Sequence, residues 1–208
     1  MERQQEIEKP AGRANGLNGN GLFFTIFENS LVKRGIHHEY TYRIQLAHRK
    51  YRKVAEAIYA AVAGPAVLLE AGALPEDISM YDLVFAGFWA DRGTADKEGA
   101  DLLRRLRQKR AAVFATCGVY ADSAHARDCL AHGAALLSED CLLLGSWICQ
   151  GKVDPQVIRM MAAMFPSGPH SMTPERVARL EEAKKHPDAD DLRRAGIWAR
   201  GIQEGASV

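Results

Sequence analysis

Two short stretches of the sequence gather side chains able to do chemistry. The first reads Trp89-Ala90-Asp91-Arg92-Gly93-Thr94-Ala95-Asp96, and the second Thr116-Cys117-Gly118-Val119-Tyr120-Ala121-Asp122-Ser123. Each combines an aromatic ring, a hydroxyl and a glycine ahead of a residue able to cap a helix. One reading of Trp89 is a packing tryptophan beside a capped helix start. The other sets Trp89 and Tyr120 on neighbouring loops as the walls of a slot for a planar ring. Cys117 has two readings as well: a nucleophile with His125 or His132 as its base, or a small apolar residue at a strand end. His125, Cys129 and His132 stand at i, i+4 and i+7, close to one helical face, which raises a metal face as a third chemistry. No second, carboxylate-rich cluster accompanies it.

The elements that must carry these loops follow from hydrophobic periodicity. Residues 42–47 suit a strand, and 51–63 suit a helix with Val54, Ile58 and Val62 on one face, stopped by Gly64 and Pro65. Unbroken apolar runs at 67–69, 82–88, 111–116 and 141–148 alternate with helical segments at 96–108, 122–136 and 154–164. Runs of this kind describe strands buried on both faces, hence an α/β domain with a doubly wound, five-stranded parallel sheet. Ligands in such sheets sit at the carboxyl ends of the strands, which places loops 47–51, 89–96 and 117–123 around any site.

Length and composition bound the rest. A chain of 208 residues with 47% hydrophobic and 25% charged residues suits one domain with an appendage. No apolar run approaches the roughly 20 residues that span a bilayer, and MERQQEIEKP has no signal-peptide core, so the expected location is cytoplasmic, away from membranes. Four cysteines without a CxxC pair argue against a zinc ribbon or disulfide scaffold. The net charge of +1 conceals an asymmetry. Residues 1–53 hold 10 Lys/Arg against 5 Asp/Glu, leaving 17 against 21 in residues 54–208. The basic arm lacks a Lys/Arg cluster longer than a pair before residue 49, so no nucleic-acid partner is expected.

Four separated segments resemble one family. GFWADRGTADKEGADLL, AAVFATCGVYADSAHA, GSWICQGKVDPQVIRMM and the tail TPERVARLEEAKKHPDADDLRRA are similar, in this order, to flavodoxin-like proteins carrying GFW-x-D-x-GTAD, T-x-G-x-Y-x-DS-x-HA and CQGK-x-DP. The resemblance covers about residues 53–208. It implies a flavodoxin-like three-layer sandwich with extra C-terminal helices (about 173–203), FMN as cofactor, and electron transfer as the role. By position it implies cofactor contacts from Trp89, Asp91, Gly93, Thr94, Thr116, Cys117, Gly118 and Tyr120. No catalytic acid or base and no metal ligand is implied. The partner would be a redox protein or reductase.

The sequence departs from that family where the FMN phosphate belongs. The family ends its first strand in S-x-T-G-N-T before a helix like KVAEAI, where hydroxyls, a glycine and helix N–H groups cradle the dianion. Here Leu46-Ala47-His48-Arg49-Lys50-Tyr51-Arg52 stands in that place, with the charge but without the shape. Codons compatible with residues 44–53, shifted by one base, read Y-S-S-x-T-G-N-T-G. Residues 1 to about 52 are accordingly expected to be out-of-frame translation, against the alternative of a divergent N-terminus with a flexible arm. Residues 1–38 are thus expected to be a flexible or non-native extension, and 39–208 the flavodoxin-like domain. Two further functions stay open: an FMN-dependent NAD(P)H:quinone oxidoreductase, for which no second glycine-rich fingerprint appears, and a cofactor-free interaction domain.

Overall fold

The longest apolar run builds the central strand. The computed structural model describes residues 42–46, 51–70, 73, 75–168 and 171–206, all within the unit Ile36–Val208. The expected extension 1–38 and the segment 47–50 lie outside the described residues. Leu83–Asp91 forms β3, flanked on one side by β1 (Tyr42–Leu46) and β2 (Ala66–Glu70), and on the other by β5 (Arg110–Cys117) and β6 (Leu142–Gln150). The order β2-β1-β3-β5-β6 is parallel throughout and reverses direction beside β1, which makes the sheet doubly wound. A sixth strand that periodicity does not reveal, the two-residue β4 (Thr94–Ala95), runs antiparallel to the end of β3.

Alternation along β3 sorts its side chains into two cores. Leu83 and Phe85 join Ala112 and Phe114 of β5 on the face covered by α1 (Arg52–Ala61) and α6 (Ala189–Ala206). Val84, Ala86 and Phe88 join Val113 and Ala115 on the opposite face, under α2 (Lys97–Arg105) and α3 (Ala124–Ala134). Each fully buried Phe contributes on the order of 1.5–3 kcal/mol of transfer free energy. The result is a three-layer sandwich.

The C-terminal helices pack within the chain. α6 lies on α1 through Ala195 and Ala199, both 0% exposed, and Gln203 bonds both the N–H and the carbonyl of Ala63 at 2.9 and 2.8 Å. Trp198 sets its ring edge-on to Phe85 at 5.7 Å and stacks on Trp147 at 6.4 Å. Leu192 and Ile202 join the same core, whereas Ile197 stays exposed. A capping box starts α6: Asp191 N–H donates to Asp188 Oδ1 at 2.9 Å and Asp188 N–H to Asp191 Oδ2 at 3.1 Å. Between β6 and α6 lie α4 (Pro155–Met164) and α5 (Pro174–Ala183). Among the described residues no helix is long and apolar enough to cross a membrane.

Candidate functional site

The first loop is a tight hairpin. Arg92 and Gly93 both have positive φ, 49° and 86°, the signature of a two-residue turn whose twist suits the strands it joins. Glycine takes that conformation without strain; arginine does so less readily. Asp96 closes the hairpin. Its N–H donates to the Trp89 carbonyl, while its Oδ1 accepts from Trp89 N–H, each at 3.0 Å. Its Oδ2 accepts from Gly99 N–H at 3.4 Å, capping α2. Burial pushes the Asp96 carboxyl up, and the Trp89 and Gly99 donors oppose that shift. The residue able to cap a helix in this loop is thus Asp96.

The second loop leaves β5 at Cys117. Gly151 N–H donates to the Cys117 carbonyl at 2.8 Å, so the segments after β5 and β6 are joined directly. Ser123 caps α3, accepting from Ala126 N–H at 3.2 Å, and donates from its hydroxyl to the Tyr120 carbonyl at 2.6 Å.

Between these loops and the α4–α5 segment lies a cavity of about 890 Å³ at the carboxyl ends of β3, β5 and β6. That volume falls towards the upper end of the range for small-molecule sites, about 300–1,000 Å³. Trp89, Asp91, Gly93, Thr116, Cys117 and Gly118 line it. Thr94 sits in β4 and is not among the lining residues; Tyr120 is 47% exposed and also stands outside the lining. Trp89 alone of the two ring candidates therefore borders the cavity. The opposite wall was not singled out by sequence reasoning. It consists of methionines 160, 161, 164 and 172 with Arg176 and Arg179, while Lys152 follows β6 at the rim.

The nucleophile and metal readings find no support in the geometry. Cys117 Sγ faces the carbonyls of Val119 and Cys149 at 3.3 and 3.7 Å, and burial pushes its thiol up to about 11. His125 Nε2 contacts Cys129 Sγ at 3.6 Å, whereas His132 Nδ1 bonds the Gly93 carbonyl at 2.9 Å, so the three side chains do not converge. His186 Nδ1 meets Asp191 Oδ2 at 2.5 Å, with Asp188 nearby; these groups hold the start of α6.

A doubly wound parallel sheet with its cavity at the strand ends defines the class of open α/β proteins. Within that class, the flavodoxin domain family model matches residues 50–199, and the chain belongs to that family. It is 28% identical over 135 residues to the flavodoxin-like domain-containing protein BilS of Clostridioides difficile (strain CD3), covering 64% of this chain and 76% of that one. To BilS of Clostridium symbiosum (strain WAL-14163) it is 30% identical over 134 residues, covering 62% and 70%. A solved flavodoxin from the domain Archaea aligns over 81% of this chain and 99% of its own, with a TM-score of 0.46 and 10% identity.

Proposed function

We propose that the chain is a flavodoxin-type electron-transfer protein that takes the ring system of FMN in the cavity beside Trp89. The observation carrying this reading is the largely apolar cavity of about 890 Å³ at the carboxyl ends of adjacent parallel strands, in a chain of the flavodoxin domain family. When bound, FMN supplies one- and two-electron redox chemistry. Trp89 would offer a flat face, and Thr116, Cys117 and Gly118 an adjoining backbone edge. The methionine wall would keep water from the ring.

The residues present fit the ring and not the phosphate. At the start of α1, Tyr51 is 0% exposed and sets its ring edge-on to Phe114 at 5.9 Å, with no side-chain cap on the helix. Arg52 pairs with Glu56 at 2.7 Å. This first turn has neither glycine nor a free hydroxyl to cradle a dianion. The start of the family match at residue 50 favours the reading of residues 1–52 as out-of-frame translation, while the pairing of β1 with β2 and β3 and the burial of Tyr51 favour a divergent but genuine N-terminus. Sequencing the gene across the codons for residues 37–54 tests that part. An extra A before Val54 bears it out, and a sequence that stands as written overturns it.

The partner would be a redox protein or reductase with a basic docking surface, since residues 54–208 carry 17 basic against 21 acidic residues. The flavin reading itself is tested by titrating the purified protein with FMN while following tryptophan emission. Saturable quenching that is lost in Trp89→Leu supports it. Unchanged emission at all FMN concentrations would sink it.

A further inference from the structure

We propose that the part of the cavity beneath α4 and α5 binds an aromatic carboxylate, with the Arg179 and Arg176 guanidiniums and the Lys152 ammonium receiving the carboxylate. This goes beyond the flavin reading and does not depend on it.

The charges come first. Arg92, Lys152, Arg176 and Arg179 line the cavity, and Asp91 is the single carboxylate among the described lining residues. Elsewhere in the C-terminal segment, four basic side chains are paired with acids, whereas Arg200 on α6 makes no ion pair among the described residues. Lys184 meets Glu181, Lys185 meets Glu182, Arg193 meets Asp190, and Arg194 meets both Asp190 and Asp191. Lys152 and Arg179, which face the cavity, make no ion pair among the described residues. Arg179 Nε is moreover buried without a hydrogen-bond partner. A buried guanidinium donor left unmet is costly, and a carboxylate is the acceptor its planar fork matches. Arg176 and Arg179 stand at i, i+3 on α5, hence on one face. Arg176 Nη2 touches Met161 Sδ at 3.3 Å, which sets that guanidinium against the methionine wall.

The wall gives the rest of the ligand its class. Four of the chain's six methionines, 160, 161, 164 and 172, line this one cavity. α4 has no fully buried residue, and Met160 and Met164 are 53% and 62% exposed. The apolar side chains of this helix are therefore turned to the cavity and its rim rather than spent on a closed core. Thioethers are polarisable and adapt their shape, and they contact aromatic rings favourably. An apolar, adaptable wall next to the Lys152 and Arg179 cations suits an aromatic body with an anionic end.

The test uses the full chain without added flavin and a matched probe pair, pyrene-1-butyrate and its neutral amide, read by pyrene fluorescence and calorimetry. The carboxylate is expected to bind one to one and at least about tenfold tighter than the amide, the scale of a charge-assisted hydrogen bond. Arg179→Gln should bring the two affinities together while leaving the amide unchanged, and Arg176→Gln should do the same if the first variant fails to fold. Lys184→Gln, whose parent lysine pairs with Glu181, should change neither. Equal binding of acid and amide, no binding of either, or a Gln variant that weakens both alike would overturn the proposal. The flavin reading is scored separately by FMN titration, so either can fail alone.

Discussion

A Cβ atom built on Gly118 would stand 2.3 Å from Cγ2 of Val153. The backbone after β5 thus lies directly under a side chain of the segment after β6, and both residues line the cavity. With the Gly151 to Cys117 hydrogen bond at 2.8 Å, this contact holds the two loops as one piece.

Gly118→Ala should therefore destabilise the protein by about 1–3 kcal/mol, because Val153 is stiff at χ1 and must move with its backbone. Val153→Ala in the same chain should recover most of that loss. A double-mutant cycle by chemical denaturation checks it, and additive effects would contradict the contact.

His186 provides a pH handle on the C-terminal helices. Its hydrogen bond to Asp191 raises its pKa above the usual 6.5, while partial burial opposes the shift. A raised folded-state value means that the protonated form is favoured on folding. That contribution is fully present below about pH 6.5 and is lost as pH rises through the raised value. Melting temperature should thus fall over the interval just above pH 6.5, and His186→Gln should flatten that fall. An unchanged pH profile in the variant would count against the pair.

Cys117 should be a poor nucleophile. With its thiol pushed up to about 11, the thiolate fraction at pH 8 is about one in a thousand, against roughly a quarter for an ordinary cysteine. Cys149 is raised further by burial, whereas Cys141 is only partly buried. Mass spectrometry after brief iodoacetamide treatment should find Cys141 alkylated well over tenfold faster than either. Rapid labelling of Cys117 would reopen the nucleophile reading.

The strands and the floor of the site were legible because continuous apolar runs specify buried parallel strands, and hydroxyls and glycines mark the turns beyond them. Trp89, Asp91, Gly93, Thr116, Cys117 and Gly118 come together on that basis. Tyr120 does not: Ser123, which caps α3, also donates to its carbonyl, and the residue stays 47% exposed. Thr94 is used in β4 instead of at the cavity. The methionine wall and the Arg176–Arg179 face were missed for a different reason. Both read as ordinary amphipathic helix faces, and periodicity does not say which sheet edge a helix folds back over. The clustering of four methionines between residues 160 and 172 was the signal available.

The central claim is a flavin-ring site without a working phosphate cradle. It is tested most directly by titrating the 208-residue protein with FMN and with riboflavin, beside a variant carrying Tyr-Ser-Ser-Leu-Thr-Gly-Asn-Thr-Gly in place of residues 44–52. The account predicts that the chain as written binds both flavins weakly and within about threefold of each other. It also predicts that the restored loop tightens FMN alone by at least about a hundredfold, the worth of several charge-assisted hydrogen bonds. Stoichiometric FMN on the chain as written, held far more tightly than riboflavin, would contradict it.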